Sequence, residues 1–457
     1  MTALWTSSAI ADATGGAASS DFAVSGVAFD SREIGAGDLF VAMPGTAHDG
    51  HQFLDTAFSR GAAGAIVSQP IEQPHILVAD TAAALNALGV ASRGRTTARV
   101  AGITGSVGKT GTKEALAAAL ARTPGKRVHR SVKSYNNHTG VPLSLARMSA
   151  DSDYGVFEMG MNHAGEISRL TRLVRPHVAV VTTVAPAHIE FFPTGLEGIA
   201  DAKGEIFEGL EPGGTAVIPF DSPQRDRLIQ HAKHRAANIV TFGLGEGADV
   251  RAREIIDNGD SSTVTAKMPG VELCLTIGQA GVHWVSNGLA VLAAVQALGG
   301  DLGIAALALA DMAQLAGRGA RVKINVGNGQ ALLIDESYNA NPTSMRATFA
   351  VLARESCRKV AVLGEMRELG ARSAELHAGL ADDIVATGVD TALLVGDAMA
   401  PLADALEGRL DVRHVADTKT AIAALPDTIA PGDAILVKGS NGVGLSGLVA
   451  HLTAGTA

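Results

Sequence analysis

Residues 100–121 read VAGITGSVGKTGTKEALAAALA, and this stretch decides the fold. A short valine- and isoleucine-containing run, 100–104, predicts a strand. It breaks at Gly105-Ser106-Val107-Gly108, and Lys109-Thr110 then open an alanine- and leucine-rich helical pattern. Glycines in such a turn let backbone N–H groups face phosphate oxygens with no Cβ in the way. The lysine adds a positive charge, and the threonine hydroxyl can ligate Mg²⁺. Ile103 stands where the strict pattern has glycine or alanine, so the match is to a shortened form. A structural glycine turn is the competing reading, and the strand–loop–helix setting favours phosphate binding. Motors, switches, kinases and ligases all use such a loop, so the reaction must be read elsewhere.

Outward from this loop, apolar runs alternate with helical patterns. VAVVTTV (178–184) and TAVIPF (215–220) come first, then ALLIDE (331–336), KVAVLGE (359–365), TALLVG (391–396) and AILVKG (434–439). Short buried runs separated by helices are the mark of parallel βαβ units covered on both faces. The expected class is α/β with three domains. A small α/β N-terminal domain (1–98) precedes a central phosphate-loop-type parallel sheet with helices on both faces (99–317). A doubly wound Rossmann-like domain (318–457) follows. A length of 457 residues with 47% hydrophobic content supports several cores. The net charge of -9 argues against a nucleic-acid partner. The two cysteines, Cys274 and Cys357, have neither metal-ligand nor disulfide-framework spacing, as expected for a cytoplasmic chain. No secretory leader pattern opens the sequence, and no apolar stretch is long enough to span a membrane.

Three more residues carry chemistry. Glu158 ends the run YGVFE, where a carboxylate at a strand's C-terminal end can hold Mg²⁺; a surface glutamate is the plain alternative. His188 and Lys203 lie in TTVAPAHIEFFPTGLEGIADAKGEIFEGL, with Lys203 expected at the start of an amphipathic helix. Taken singly, a structural histidine and a solvated lysine are the better readings.

They do not stand singly. The succession TGSVGKT (104–110), SYNNHTGVPLSL (134–145), FEMGMNHAGEI (157–167) and APAHIEFFPTGLEGIADAKGEIF (185–207) resembles the Mur ligase family across the central region. Within it, the NN-x-x-GVP-L and E-MGMN-x-GEI segments resemble members that join D-alanyl-D-alanine to a UDP-N-acetylmuramoyl-tripeptide. The resemblance implies an ATP-dependent ligase in which Gly105, Ser106, Val107, Gly108, Lys109 and Thr110 cradle the nucleotide. It implies that Thr110 and Glu158 hold one Mg²⁺, that His188 helps hold a second, and that Lys203 is carbamylated by CO₂. Lys109, His188, Lys203 and Arg318 are the catalytic set it implies. A carbamate makes physical sense beside two metals, which a free ammonium would repel.

The resemblance extends to GVHWVSNGLAVLAAV (281–295), where Asn287 is expected on adenine and Trp284 replaces the family's usual asparagine. In GRGAR (317–321), Arg318 is expected to reach the phosphates across the domain junction. ALLIDESYNANPTSM (331–345) implies Asp335, Tyr338, Asn339 and Asn341 as nucleotide contacts, with a tight structural turn compatible with that role. LGEMRELG (363–370) has Glu365 in place of the family's aspartate. Ser31-Arg32 and GDLFVAMPGTAHDGHQF (37–53) resemble a UDP-sugar site, a surface loop being the alternative. Asn136, Asn137, Glu365, Lys438 and Ser440 complete the expected substrate contacts, and the chain is expected to act as a monomer.

The implied reaction has two steps. The tripeptide carboxylate attacks the γ-phosphate to give an acyl phosphate and ADP, and the dipeptide amine then displaces phosphate. Domain closure on binding is expected, to keep water from the acyl phosphate. The competing readings are the sister ligase adding the third peptide residue, folylpolyglutamate synthase, and a nucleotide-dependent switch. The first is disfavoured by YNANP and the lack of a DNPR segment, and the second by the N-terminal domain. The switch has no need of the His188–Lys203 pair.

Overall fold

A computed structural model describes residues 3–45, 48–312 and 316–454. Among the described residues there are four β-sheets. The N-terminal part holds a two-stranded ribbon, Trp5–Thr6 with Ala23–Val24, and a five-stranded sheet ordered Ala17–Ala18, His75–Leu77, Gly64–Val67, Asp38–Val41 and Gly26–Ala28. All its pairings are parallel except that of Ala17–Ala18. Helix Thr81–Gly94 starts where the Asp80 carboxylate accepts hydrogen bonds from the Ala82 and Ala83 amides. Gly89 lets this helix approach helix Gly140–Ala146 of the central part: an added Cβ would sit 3.3 Å from Pro142. Leu143 and Ala146 belong to the same apolar cluster as Trp5, Ile10 and Leu88, and the Trp5 indole donates to the Ala146 carbonyl at 2.8 Å. The first two parts therefore share a hydrophobic core.

The central sheet has nine strands. Strand Arg99–Thr104 lies between Tyr154–Glu158 and Val178–Val181, and both neighbours run parallel to it. These runs are apolar at consecutive positions because helices cover both faces. Helices Lys109–Ala121 and Val282–Ala297 pack on one face, and Glu166–Val174 and Leu196–Gly204 on the other. Register places Glu158 opposite Ile103 and Val181 opposite Thr104, so the three C-terminal ends, and the loops that leave them, meet at one edge. Strands Thr215–Pro219, Asn238–Gly243 and Val250–Asp257 continue the parallel order. The expected all-parallel sheet stops there. Ser262–Met268 and Val271–Ile277 are antiparallel, and along Ser262–Met268 buried positions alternate with half-buried or exposed ones, as in a strand with one face in the core.

The C-terminal sheet runs Ala320–Val326, Gly329–Glu336, Ala434–Lys438, Lys359–Gly364, Thr391–Val395 and Asp411–Val415, antiparallel only at the first pair. Separate apolar clusters lie on its two faces, which makes it doubly wound. Its junction with the central part is largely polar. Arg354 pairs with Asp257 and Arg321 with Asp260, each at 3.0 Å, while Ile189 adds an apolar contact. Cys274 and Cys357 are free thiols. Among the described residues no helix is long and apolar enough to cross a membrane.

Candidate active site

The phosphate loop is braced by the segment that leaves strand Val178–Val181. Gly105 and Gly108 have φ of +153° and +88°, and a Cβ at Gly105 would come within 1.9 Å of the Thr182 hydroxyl. That hydroxyl donates to the Val107 carbonyl at 2.5 Å. The Ser106 amide donates to Thr183 at 2.7 Å and its hydroxyl to Ala185 at 2.9 Å, so Ser106 braces the loop. A Cβ at Gly108 would lie 2.7 Å from the Asn287 amide oxygen, which puts Asn287 directly over the start of the helix. The Lys109 ammonium donates to the Gly105 carbonyl at 2.7 Å. Burial lowers its pKa, Glu158 opposes that shift, and Arg318 adds to it.

Behind the loop, Thr110 donates its hydroxyl to one Glu158 oxygen at 2.7 Å, and the Asn136 amide donates to the other at 2.8 Å. The fully buried Lys113 donates to the Ser131 and Lys133 carbonyls at 2.8 and 2.7 Å, fixing the segment that carries Ser134 and Asn136. Asn137 turns the other way and accepts the Gly140 amide at 2.9 Å to start the next helix. Glu33 of the N-terminal part accepts the Tyr135 hydroxyl at 2.8 Å and pairs with Lys133.

Lys203 lies in the last turn of helix Leu196–Gly204, not at a helix start as expected, because Gly195 in the left-handed region begins the helix earlier. It is 3% exposed and makes no ion pair among the described residues. Burial and the nearby Lys109 push its pKa well below the usual lysine value. His188 has a left-handed backbone, φ +58°, and its Nδ1 lies against a Glu368 carboxylate oxygen. Burial, Lys109 and Lys203 lower its pKa to about 4.

The C-terminal part closes the site. The Arg318 guanidinium stacks 4.0 Å from the Tyr338 ring centre and donates to the Ser134 hydroxyl at 3.3 Å, spanning the junction. Lys438 donates to the Asn339 carbonyl at 2.9 Å and stands 3.6 Å from Glu336. Asn341 caps helix Pro342–Leu352 by accepting the Ser344 amide at 2.9 Å. A cavity of about 450 Å³, a size suited to a small ligand, is lined by Ser106 through Thr110, Asn136, Glu158, His188, Lys203, Asn287, Arg318, Tyr338, Asn339, Asn341 and Lys438.

Other expected residues do not line this cavity. The Asp335 carboxylate accepts the Gly317 amide at 2.7 Å and the Ser337 hydroxyl at 2.6 Å, so it anchors the segment entering the C-terminal part. Asp335→Ala is expected to cost about 2 kcal/mol by leaving a buried N–H unpaired, as read by denaturant unfolding. Glu365 accepts the Ala398 amide at 2.9 Å, and Ser440 accepts the Arg367 amide at 3.0 Å. Ser31 is buried in a turn, while Arg32 is exposed and pairs with Asp30 at 2.7 Å; neither lines this cavity.

The chain matches three family descriptions in succession. Residues 23–101 match the Mur ligase family, catalytic domain; 103–295 the Mur ligase middle domain; and 317–441 the Mur ligase, glutamate ligase domain. It is 33% identical over 452 residues to the UDP-N-acetylmuramoyl-tripeptide–D-alanyl-D-alanine ligase of Rickettsia prowazekii, covering 98% of this chain and 99% of that protein. The chain belongs to the Mur ligase family. Among solved structures this Mur ligase resembles MurF from Acinetobacter baumannii, with TM-score 0.86, 32% identity and coverage of 98% and 99%. It also resembles MurF from Thermotoga maritima in complex with ADP, with TM-score 0.76, 27% identity and coverage of 92% and 94%.

Several cavity residues of this Mur ligase were not singled out from sequence: Ser134, Thr183, His283, Glu336, Ser344 and Thr348. His283 sits beside Trp284 on the helix that carries Asn287, so helical spacing could have found it. Trp284 fills space over Gly111, where a Cβ would meet its ring at 2.7 Å. The donor set fits a metal–nucleotide complex. Thr110 and Glu158 supply oxygens at the loop, yet among the described residues no three His, Cys, Asp or Glu side chains converge to hold an ion unaided. A phosphate group and an anionic Lys203 would supply what is lacking.

Proposed function

We propose that this Mur ligase joins D-alanyl-D-alanine to UDP-N-acetylmuramoyl-tripeptide with ATP, yielding the UDP-linked pentapeptide, ADP and phosphate for peptidoglycan synthesis in the cytoplasm. The carrying observation is the buried, unpaired Lys203 set beside Lys109 in the same cavity as the Thr110–Glu158 pair. In such a place the neutral amine is favoured, and it can add CO₂, lose a proton and become a carbamate. Repulsion from Lys109 then becomes attraction.

Lys109 and the loop amides hold the β- and γ-phosphates, and Arg318 neutralises charge from the opposite domain. Mg²⁺ at Thr110–Glu158, and a second ion at His188 and carbamylated Lys203, would polarise the γ-phosphate when bound. The tripeptide carboxylate takes the γ-phosphoryl group, ADP leaves, and the dipeptide amine attacks the acyl carbon, expelling phosphate. Asn287, Tyr338, Asn339 and Asn341 surround the nucleotide. Residues 1–98 take the UDP-sugar through Ser31 and Arg32, 99–317 carry the ligase chemistry, and 318–457 bring the dipeptide. The enzyme works as a monomer.

Phosphate release from ATP and the UDP-tripeptide is the test, with D-alanyl-D-alanine or single amino acids added in parallel. Release with the dipeptide alone supports the assignment. Release with a single amino acid moves the protein to a sister ligase, and release with neither removes the ligase reading.

A further inference from the structure

We propose that Glu368, which touches the cavity-lining His188, receives the ammonium group of the incoming dipeptide, a proposal that rests on the ligase reading above. Glu368 lies on the loop after strand Lys359–Gly364, and its carboxylate meets His188 across the domain junction. Both residues adopt the left-handed backbone, with φ of +60° and +58°. For non-glycine residues that conformation is uncommon and persists only where the surroundings impose it. The loop is closely seated: at Gly370 a Cβ would lie 2.7 Å from the Glu190 side chain.

The chemistry demands an anion here. The amine must reach an acyl carbon near the γ-phosphate, and it arrives as a cation in a cavity that already holds the cationic side chains Lys109 and Arg318. The carboxylates that line the cavity, Glu158 and Glu336, are engaged. Glu158 accepts from Thr110 and Asn136, and Glu336 faces Lys438. Glu368 has His188 as its one partner among the described residues, and its side chain is 39% exposed. It is thus a reachable carboxylate, carried by one domain and placed against the reaction centre of the other.

The test uses the full-length protein and Glu368→Gln, with Glu368→Asp beside it and circular dichroism to confirm folding. The KM for D-alanyl-D-alanine is expected to rise at least tenfold in Glu368→Gln and less in Glu368→Asp. The KM values for ATP and UDP-tripeptide are expected to stay within about twofold. N-acetyl-D-alanyl-D-alanine, which has no ammonium, is expected to inhibit wild type and Glu368→Gln equally. An unchanged dipeptide KM, or an equal loss for both dipeptides, would overturn the proposal. So would loss of hydroxamate when hydroxylamine traps the acyl phosphate before dipeptide is added, because Glu368 would then act through His188. A wild-type enzyme that ignores D-alanyl-D-alanine refutes the ligase reading instead, and that result is visible before any variant is made.

Discussion

Lys203→Ala is expected to lower turnover at least about a thousandfold, equivalent to about 4 kcal/mol of transition-state stabilisation. Short carboxylic acids such as acetate are expected to restore part of the rate. The size of the loss follows from where the side chain lies. It is buried at a helix end beside Lys109 with no carboxylate partner, so in its ammonium form it would repel both the neighbouring lysine and any metal. As a carbamate it would provide an anion next to Lys109, where Lys203 itself has no carboxylate partner among the described residues. Alanine leaves a cavity about the length of a lysine chain, and a small carboxylate can enter it. Lys203→Arg is expected to be as inactive as alanine and to resist rescue, because guanidinium fills the space and does not add CO₂. Phosphate release with and without acetate tests the rate, and ¹³C NMR in labelled bicarbonate tests the carbamate directly. A Lys203→Ala enzyme that keeps near-wild-type turnover would remove the lysine from the chemistry.

Glu158→Gln is expected to reduce kcat about a hundredfold or more and to shift the Mg²⁺ concentration for half-activity upward by a similar factor. The change is nearly isosteric. Glu158 accepts one hydrogen bond from Thr110 and one from Asn136, and Thr110 can rotate its hydroxyl to accept from the new amide. The fold should therefore survive with little change in Tm, while the negative charge is lost. Titrating activity with Mg²⁺ separates the two contributions. A loss of kcat with no change in the Mg²⁺ midpoint would mean that Glu158 only orients Thr110 and Asn136.

The fold was legible in this sequence because its strands are short apolar runs with helical patterns between them. The phosphate loop gave one secure point from which to count. What escaped reading depends on backbone geometry or on contacts distant in sequence. The antiparallel edge, Ser262–Met268 and Val271–Ile277, has the alternation of a half-covered strand, a weaker signal than a solid apolar run. Lys203 reads as the start of a helix but closes one, because Gly195 looks like a loop residue, and its positive φ, which precedes the helix start, is invisible in one dimension. The local donors that Asp335 finds, the Gly317 amide and the Ser337 hydroxyl, are likewise not legible from a strand-end aspartate. Ser134 and Glu368 touch partners in other domains, Arg318 and His188, and no local pattern announces such pairings.

The two junctions between the parts differ in kind, and this has a thermodynamic consequence. Trp5, Leu88, Leu143 and Ala146 put the N-terminal and central parts in one apolar cluster, with Glu33 adding ion pairs to Lys133 and Arg147, whereas the C-terminal part meets the central part through Arg354–Asp257, Arg321–Asp260 and the Arg318–Ser134 hydrogen bond. Exposed ion pairs weaken as dissolved salt screens them, and apolar burial does not. Added salt is therefore expected to loosen the C-terminal junction more than the N-terminal one, where the apolar cluster adds to the ion pairs, so that calorimetry at rising ionic strength is expected to separate the C-terminal part's transition from that of the first two parts.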